Sequence, residues 1–187
     1  MKIGLVGEAP SDTSAIKNLL VKKYPITDYI YKPMMHGING DMLNNQKTKR
    51  LLRKEYEIEK PDILIFIRDL DGTLINNTKL SERKTFFRDF NSVVNKKGVF
   101  LLNIFEIEAL LIADIETFNA YFGCNIEYTG DPMELEDPKG FLRERCNKYD
   151  VSFNAELFSE LNFDTVQTNC KYFDGFIKRF ENKIASM

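Results

Sequence analysis

After its first residue, the run Asp62-Ile63-Leu64-Ile65-Phe66-Ile67 contains no polar side chain, and it is only as long as a strand. An alternating strand buries one face, whereas an unbroken apolar run of this length has two faces to bury. That is the condition of a strand inside a parallel sheet covered on both sides. Pro61 punctuates the run on one side, and Arg68-Asp69-Leu70-Asp71-Gly72 closes it with turn-forming residues on the other.

Similar signals repeat along the first half of the chain. Ile3 to Val6 is a short apolar strand ended by Gly7-Glu8, and Ser11-Asp12-Thr13 then leads into Ala15, Ile16, Leu19 and Leu20 at helical spacing. Thr27 to Tyr31 reads as a second strand before Pro33. His36-Gly37-Ile38-Asn39-Gly40 reads as a loop, and Asp41 to Glu59 as one long polar helix with Met42, Leu43, Leu51, Leu52 and Tyr56 facing inward. Ser81 to Asn95 is expected to be a helix capped by Ser81, Gly98 to Leu102 a strand, and Phe105 to Ala113 an apolar helix with Glu106 and Glu108 in its first turn.

Strands alternating with helices imply the α/β class, here a central parallel sheet of about four strands flanked by helices. Past residue 122 the alternation stops: Asn125 to Pro138 is loop-like, and helices are expected over Lys139–Tyr149, Asn154–Leu161 and Thr165–Ile184. The expected organisation is an α/β core over 1–122 and a helical extension over 123–187 packed on it in one compact domain.

Composition narrows the function classes. Lys and Arg number 26 against 28 Asp and Glu, so bulk charge does not mark a nucleic-acid binder, although a local basic patch can. Cys124, Cys146 and Cys170 have neither metal-ligand nor redox-motif spacing, and three free thiols are expected. The N-terminal apolar run is too short for a signal peptide, and no stretch approaches a membrane span, so the expected setting is cytoplasmic.

The informative residues are acidic, and each follows an expected strand: Glu8, then Asp69 and Asp71, then Glu106 and Glu108. In an open α/β sheet the carboxyl ends of the strands share one edge, where ligands bind. Carboxylates gathered there repel one another unless a cation neutralises them, and hard oxygen ligands suit Mg²⁺ or Mn²⁺. Asp12, at the start of the first helix, is a candidate outer ligand.

Gly7-Glu8 after the first strand, followed by Ser11-Asp12 and then a hydrophobic strand into Asp69-x-Asp71, resembles the topoisomerase-primase (Toprim) domain. The stretch Glu106-Ile107-Glu108-Ala109-Leu110-Leu111-Ile112-Ala113-Asp114 is similar to a motif of small Toprim families related to OLD nucleases, and Cys170-Lys171-Tyr172-Phe173-x-x-Phe176 resembles their closing helix. The resemblance implies Mg²⁺ or Mn²⁺ held by Asp69 and Asp71, with Glu8 as acid-base group or further ligand and Glu106 or Glu108 completing the shell. The implied reaction is cleavage of DNA or RNA phosphodiesters by a nuclease; the alternative is a Toprim-like subunit of a defence assembly that binds metal and nucleic acid, or a partner ATPase, without cutting.

A second resemblance uses the same residues. Asp69-Leu70-Asp71-Gly72-Thr73-Leu74 is similar to the first motif of haloacid-dehalogenase-type phosphatases, in which Asp69 would be the nucleophile. That family opens on this strand and later supplies a Ser or Thr and an acidic pair, whereas here a strand, a helix and Glu8 precede it and Asn103 stands after the next strand. Cations for a phosphate backbone are Lys47, Lys49, Arg50 and Arg53, then Arg68, then Lys79, Arg83, Lys84 and Arg88. His36 is a candidate for proton transfer.

Overall fold

The computed structural model describes residues 1–35, 40–43 and 45–187, with backbone alone at 40 and 41. In chain order the elements are β1 (Lys2–Val6), α1 (Pro10–Leu20), β2 (Ile30–Pro33), α2 (Gly40–Leu43), α3 (Gln46–Glu59), β3 (Ile63–Asp69), α4 (Asn77–Val93) and β4 (Gly98–Asn103). There follow α5 (Ala109–Ala113), α6 (Ile115–Phe122), α7 (Pro138–Arg145), α8 (Asn154–Glu160), α9 (Phe163–Asn169) and α10 (Lys171–Ala185). Among the described residues the strands form one sheet of order β2-β1-β3-β4, parallel throughout. The chain is α/β with a helical C-terminal extension.

The unbroken apolar run of β3 buries both its faces. Ile63, Ile65 and Ile67 point into one core with Ile3, Leu5, Val99 and Leu101, while Leu64 and Phe66 point into another with Val6, Phe86 and Phe90. Helices α3 and α4 cover the second face, through Leu52, Tyr56, Phe86 and Phe90. The extension covers the first face together with α1: α8 packs along α1, and α10 runs beside β4. On α10 the spacing of Phe173, Phe176, Ile177 and Phe180 keeps all four on one stripe, each fully buried and each contributing about 1.5–3 kcal/mol of apolar transfer energy. Asn18 Nδ2 donates to Ala155 O at 2.7 Å, and the Tyr24 hydroxyl to Glu181 Oε1 at 2.9 Å, tying the N-terminal unit to the extension.

Several local expectations shift. The second strand begins at Ile30 rather than Thr27, because Pro25 seeds a turn in which Asp28 and Tyr29 donate back to its carbonyl. The long helix over 41–59 is broken: Asn45 caps α3 by accepting from Lys47 N–H at 2.9 Å, and the change of phase leaves Met42 and Leu51 exposed while Leu43, Leu52 and Tyr56 are buried. Asn76, not Ser81, caps α4, which therefore starts one turn earlier. The apolar helix after β4 is confined to Ala109–Ala113, so Glu106 precedes it and Glu108 sits at its N-cap. The expected 165–184 helix is two helices, divided at Cys170, whose sulfur accepts from Phe173 N–H and caps α10.

Cys124 and Cys146 are not free thiols but form a disulfide, joining the second residue after α6 to the residue after α7, with their Cα atoms 6.3 Å apart. Their separation of 22 residues carried no motif, and folding alone brings them together. Cys170 is free and buried. The loop containing His36 lies outside the described residues. Among those described, no helix is long and apolar enough to cross a membrane.

Candidate active site at the carboxyl edge of the sheet

From β1 the chain moves outward to β2 and then returns to place β3 on the other side of β1. That reversal opens a crevice beyond the carboxyl ends of β1 and β3, the usual ligand position in open α/β sheets. Glu8 and Asp69 stand at those two ends. Gly7 makes the tight exit from β1 feasible, since a Cβ there would lie 2.9 Å from Thr13 Cγ2. Asp12 then closes the first turn of α1, accepting from Ala9 N–H at 3.1 Å and from the Ser11 hydroxyl at 3.2 Å. Burial, with a further push from Glu8, raises the Asp12 carboxyl above its usual range, against the lowering effect of those hydrogen bonds and Lys139.

At the end of β3 the two aspartates part company. Asp69 pairs in register with Asn103 on β4 and accepts from Asn103 Nδ2 at 2.8 Å. Burial drives its carboxyl far above the ordinary carboxylate range, and Asp12, Glu108 and Glu8 add to the rise. Asn103 is fully buried, and its Oδ1 has no hydrogen-bond partner among the described residues. Asp71, two residues on, adopts a left-handed backbone with φ of 55° and turns its exposed carboxylate to Arg83 Nη2 at 2.9 Å. Arg83 Nε also donates to the Asp69 carbonyl at 2.7 Å, and Lys79 Nζ to the Asp71 carbonyl at 2.6 Å.

Arg68 is 2% exposed, an unusual place for a guanidinium. Its Nε donates to Glu8 Oε1, and its guanidinium carbon lies 4.6 Å from the centre of the Phe86 ring on α4. Burial lowers its pKa, while Glu8 works to raise it and Arg83 to lower it. Glu8 is thereby tied to a cation rather than to Asp69.

The extension completes the edge. Glu106 accepts from both Lys139 Nζ at 2.8 Å and Lys139 N–H at 3.2 Å, at the start of α7. Glu108 is 3% exposed and accepts from Asn154 Nδ2 at 3.0 Å, while Asn154 Oδ1 accepts from the Tyr149 hydroxyl at 2.9 Å. Burial raises Glu108, and Lys139 opposes that rise. For Lys139 itself burial works downward, but Glu106, Glu108 and Asp69 outweigh it and the pKa is raised.

Of the acids expected to act together, Asp12, Glu108 and Glu8 are each within electrostatic reach of Asp69, whereas Asp71 faces Arg83 and Glu106 faces Lys139. Asn103, Lys139 and Asn154 were not singled out as site residues from the sequence. The Asn after a strand that pairs with the aspartate strand was a weak signal; the other two had none, because each lies more than 30 residues from its partner. Lys47, Arg50, Arg53 and Lys54 are exposed on or beside the α3 surface, and Lys49 Nζ pairs with Asp89 at 3.0 Å, joining α3 to α4. Lys84 and Arg88 are exposed on α4.

As placed, no three Asp, Glu, His or Cys side chains among the described residues are grouped to enclose a metal ion. Two features nonetheless fit one hydrated divalent ion: a desolvated carboxylate with negative neighbours, and a buried carbonyl oxygen lacking a donor. The remaining acids have protein cations or amides instead. Compared with family models, curated proteins and solved structures, the chain has no match.

Proposed function

We propose that the protein is a Mg²⁺- or Mn²⁺-dependent hydrolase of nucleic-acid phosphodiesters, the activity implied by its resemblance to the Toprim families. The observation that carries this reading is the pair Asp69 and Asn103 at the β1/β3 crevice: a carboxylate raised by burial and by acidic neighbours, beside a buried amide oxygen with no donor among the described residues. A divalent ion satisfies both, since it stabilises the ionised carboxylate and its hydration water can donate to the amide oxygen. When bound, the ion supplies positive charge that acidifies water and attracts phosphate oxygens.

The chain's own residues divide the remaining work. Asp69 would hold the ion, with Asp12 and Glu108 supplying negative charge around it. Glu8, oriented by Arg68, would take a proton from the attacking water. Arg83 and Lys79, which fix the Asp71 loop from α4, offer charge to a phosphate approaching from that side, and the exposed cations of α3 extend the path.

The test incubates the purified chain with plasmid, single-stranded DNA and RNA in Mg²⁺, Mn²⁺ or EDTA, beside Asp69→Ala and Asp71→Ala. Metal-dependent cleavage that is abolished by Asp69→Ala is the expected result, with Asp71→Ala a milder loss. Binding without cleavage points to a non-catalytic subunit that works with a partner such as an ATPase. Phosphate release from an aryl phosphate, abolished by Asp69→Asn, points to the haloacid-dehalogenase-type reaction. Either outcome overturns the nuclease reading.

A further inference from the structure

Phosphodiester hydrolysis at a carboxylate cluster is commonly served by two divalent ions, and the ligand supply here is short of that. Glu8 is held by Arg68 and Asp71 by Arg83 at 2.9 Å. Glu106 is held twice by one residue, through the ammonium and the backbone N–H of Lys139 at 2.8 and 3.2 Å. Asp137 caps the start of α7 by accepting from Gly140 N–H at 2.8 Å, and Pro138 opens the helix, so the Lys139 backbone is fixed as well as its side chain. Among the described residues, the carboxylates of Asp69, Asp12 and Glu108 accept hydrogen bonds from amides and a hydroxyl instead of from a cation, which leaves Asp69 for one ion that keeps most of its waters.

We infer that Lys139, delivered by the C-terminal extension, takes the place of a second metal ion, so that the site loads a single divalent ion at Asp69. The inference rests on the metal-dependent reading above and concerns the number of ions, not the reaction. A fixed ammonium clamped on Glu106, within electrostatic reach of Glu108 and Asp69, would supply the positive charge that a second ion supplies elsewhere. It also gives the extension a chemical role besides covering the sheet.

Titration of the full chain with Mn²⁺, followed by calorimetry and by the spin-resonance signal of free Mn²⁺, tests this without reference to activity. The wild type is expected to bind about one ion per chain. Lys139→Met, which leaves Glu106 open, is expected to bind about two, and Lys139→Arg to remain at about one. Circular dichroism checks that each variant is folded. Should Lys139→Met be unfolded, Glu106→Gln serves instead: it leaves the ammonium in place and must keep the count at about one. Two ions in the wild type, or an unchanged count in folded Lys139→Met, overturn the inference while leaving the metal-dependent reading intact. No Mn²⁺ bound by the wild type, or equal binding by Asp69→Asn, ends both.

Discussion

Asn103 Nδ2 donates to Asp69 Oδ1 at 2.8 Å across the β3–β4 pair, while Asn103 Oδ1, buried at the other end of the same amide, receives no hydrogen bond among the described residues. A buried polar atom left in this condition costs stability.

Stability in EDTA should fall as pH rises because of Asp69. Its folded carboxyl is raised by burial, then by Asp12, Glu108 and Glu8. A raised carboxyl contributes stability fully below its unfolded pKa of about 3.9 and loses it as pH climbs through the folded value. Asp69→Asn removes the titration, so urea unfolding should show the variant gaining about 1–3 kcal/mol on the wild type near neutral pH and much less near pH 4. A gain independent of pH would assign the effect to something other than this carboxyl.

Arg68→Met should destabilise the protein by about 3–5 kcal/mol, because Glu8 loses the partner that holds it beside the buried end of β1. Adding Glu8→Gln to Arg68→Met should recover part of that loss. Thermal midpoints of the two single variants and the double variant give the coupling, and strictly additive losses would show that the pair is not coupled.

Arg83→Ala removes a contact to the exposed Asp71 carboxylate and a hydrogen bond to the Asp69 carbonyl, so its cost to folding should be about 1–2 kcal/mol. Its effect on nucleic-acid binding should be larger. The slope of log affinity against log salt should shrink by about 1, measured by fluorescence anisotropy with a labelled oligonucleotide in EDTA. An unchanged slope would remove Arg83 from the phosphate path.

Thiol titration in denaturant should find Cys170 alone reactive before reduction, and Cys124 and Cys146 in addition after it. A full complement of thiols without reductant would show the bridge to be absent from the purified protein.

The sequence by itself determined the strands and the edge on which the candidate residues stand. An apolar run such as Ile63 to Ile67 has no stable place except between two covered faces, and period-two geometry then dictates that Ile65 and Phe66 serve opposite cores. Parallel strands also put Glu8 and Asp69 at a common edge whatever the strand order. Helix ends were less legible: Asn45, Asn76 and Cys170 each cap a helix through a single local hydrogen bond that competing polar neighbours could equally have supplied. Only the tertiary structure decided which partner each acid meets. Asp71 is turned to Arg83 by one left-handed backbone angle, and Glu106 and Glu108 are joined by Lys139 and Asn154 from the extension. Charge pairing acts over a few ångströms in space irrespective of separation along the chain, so the fold, not the local pattern, sets the electrostatics of the site.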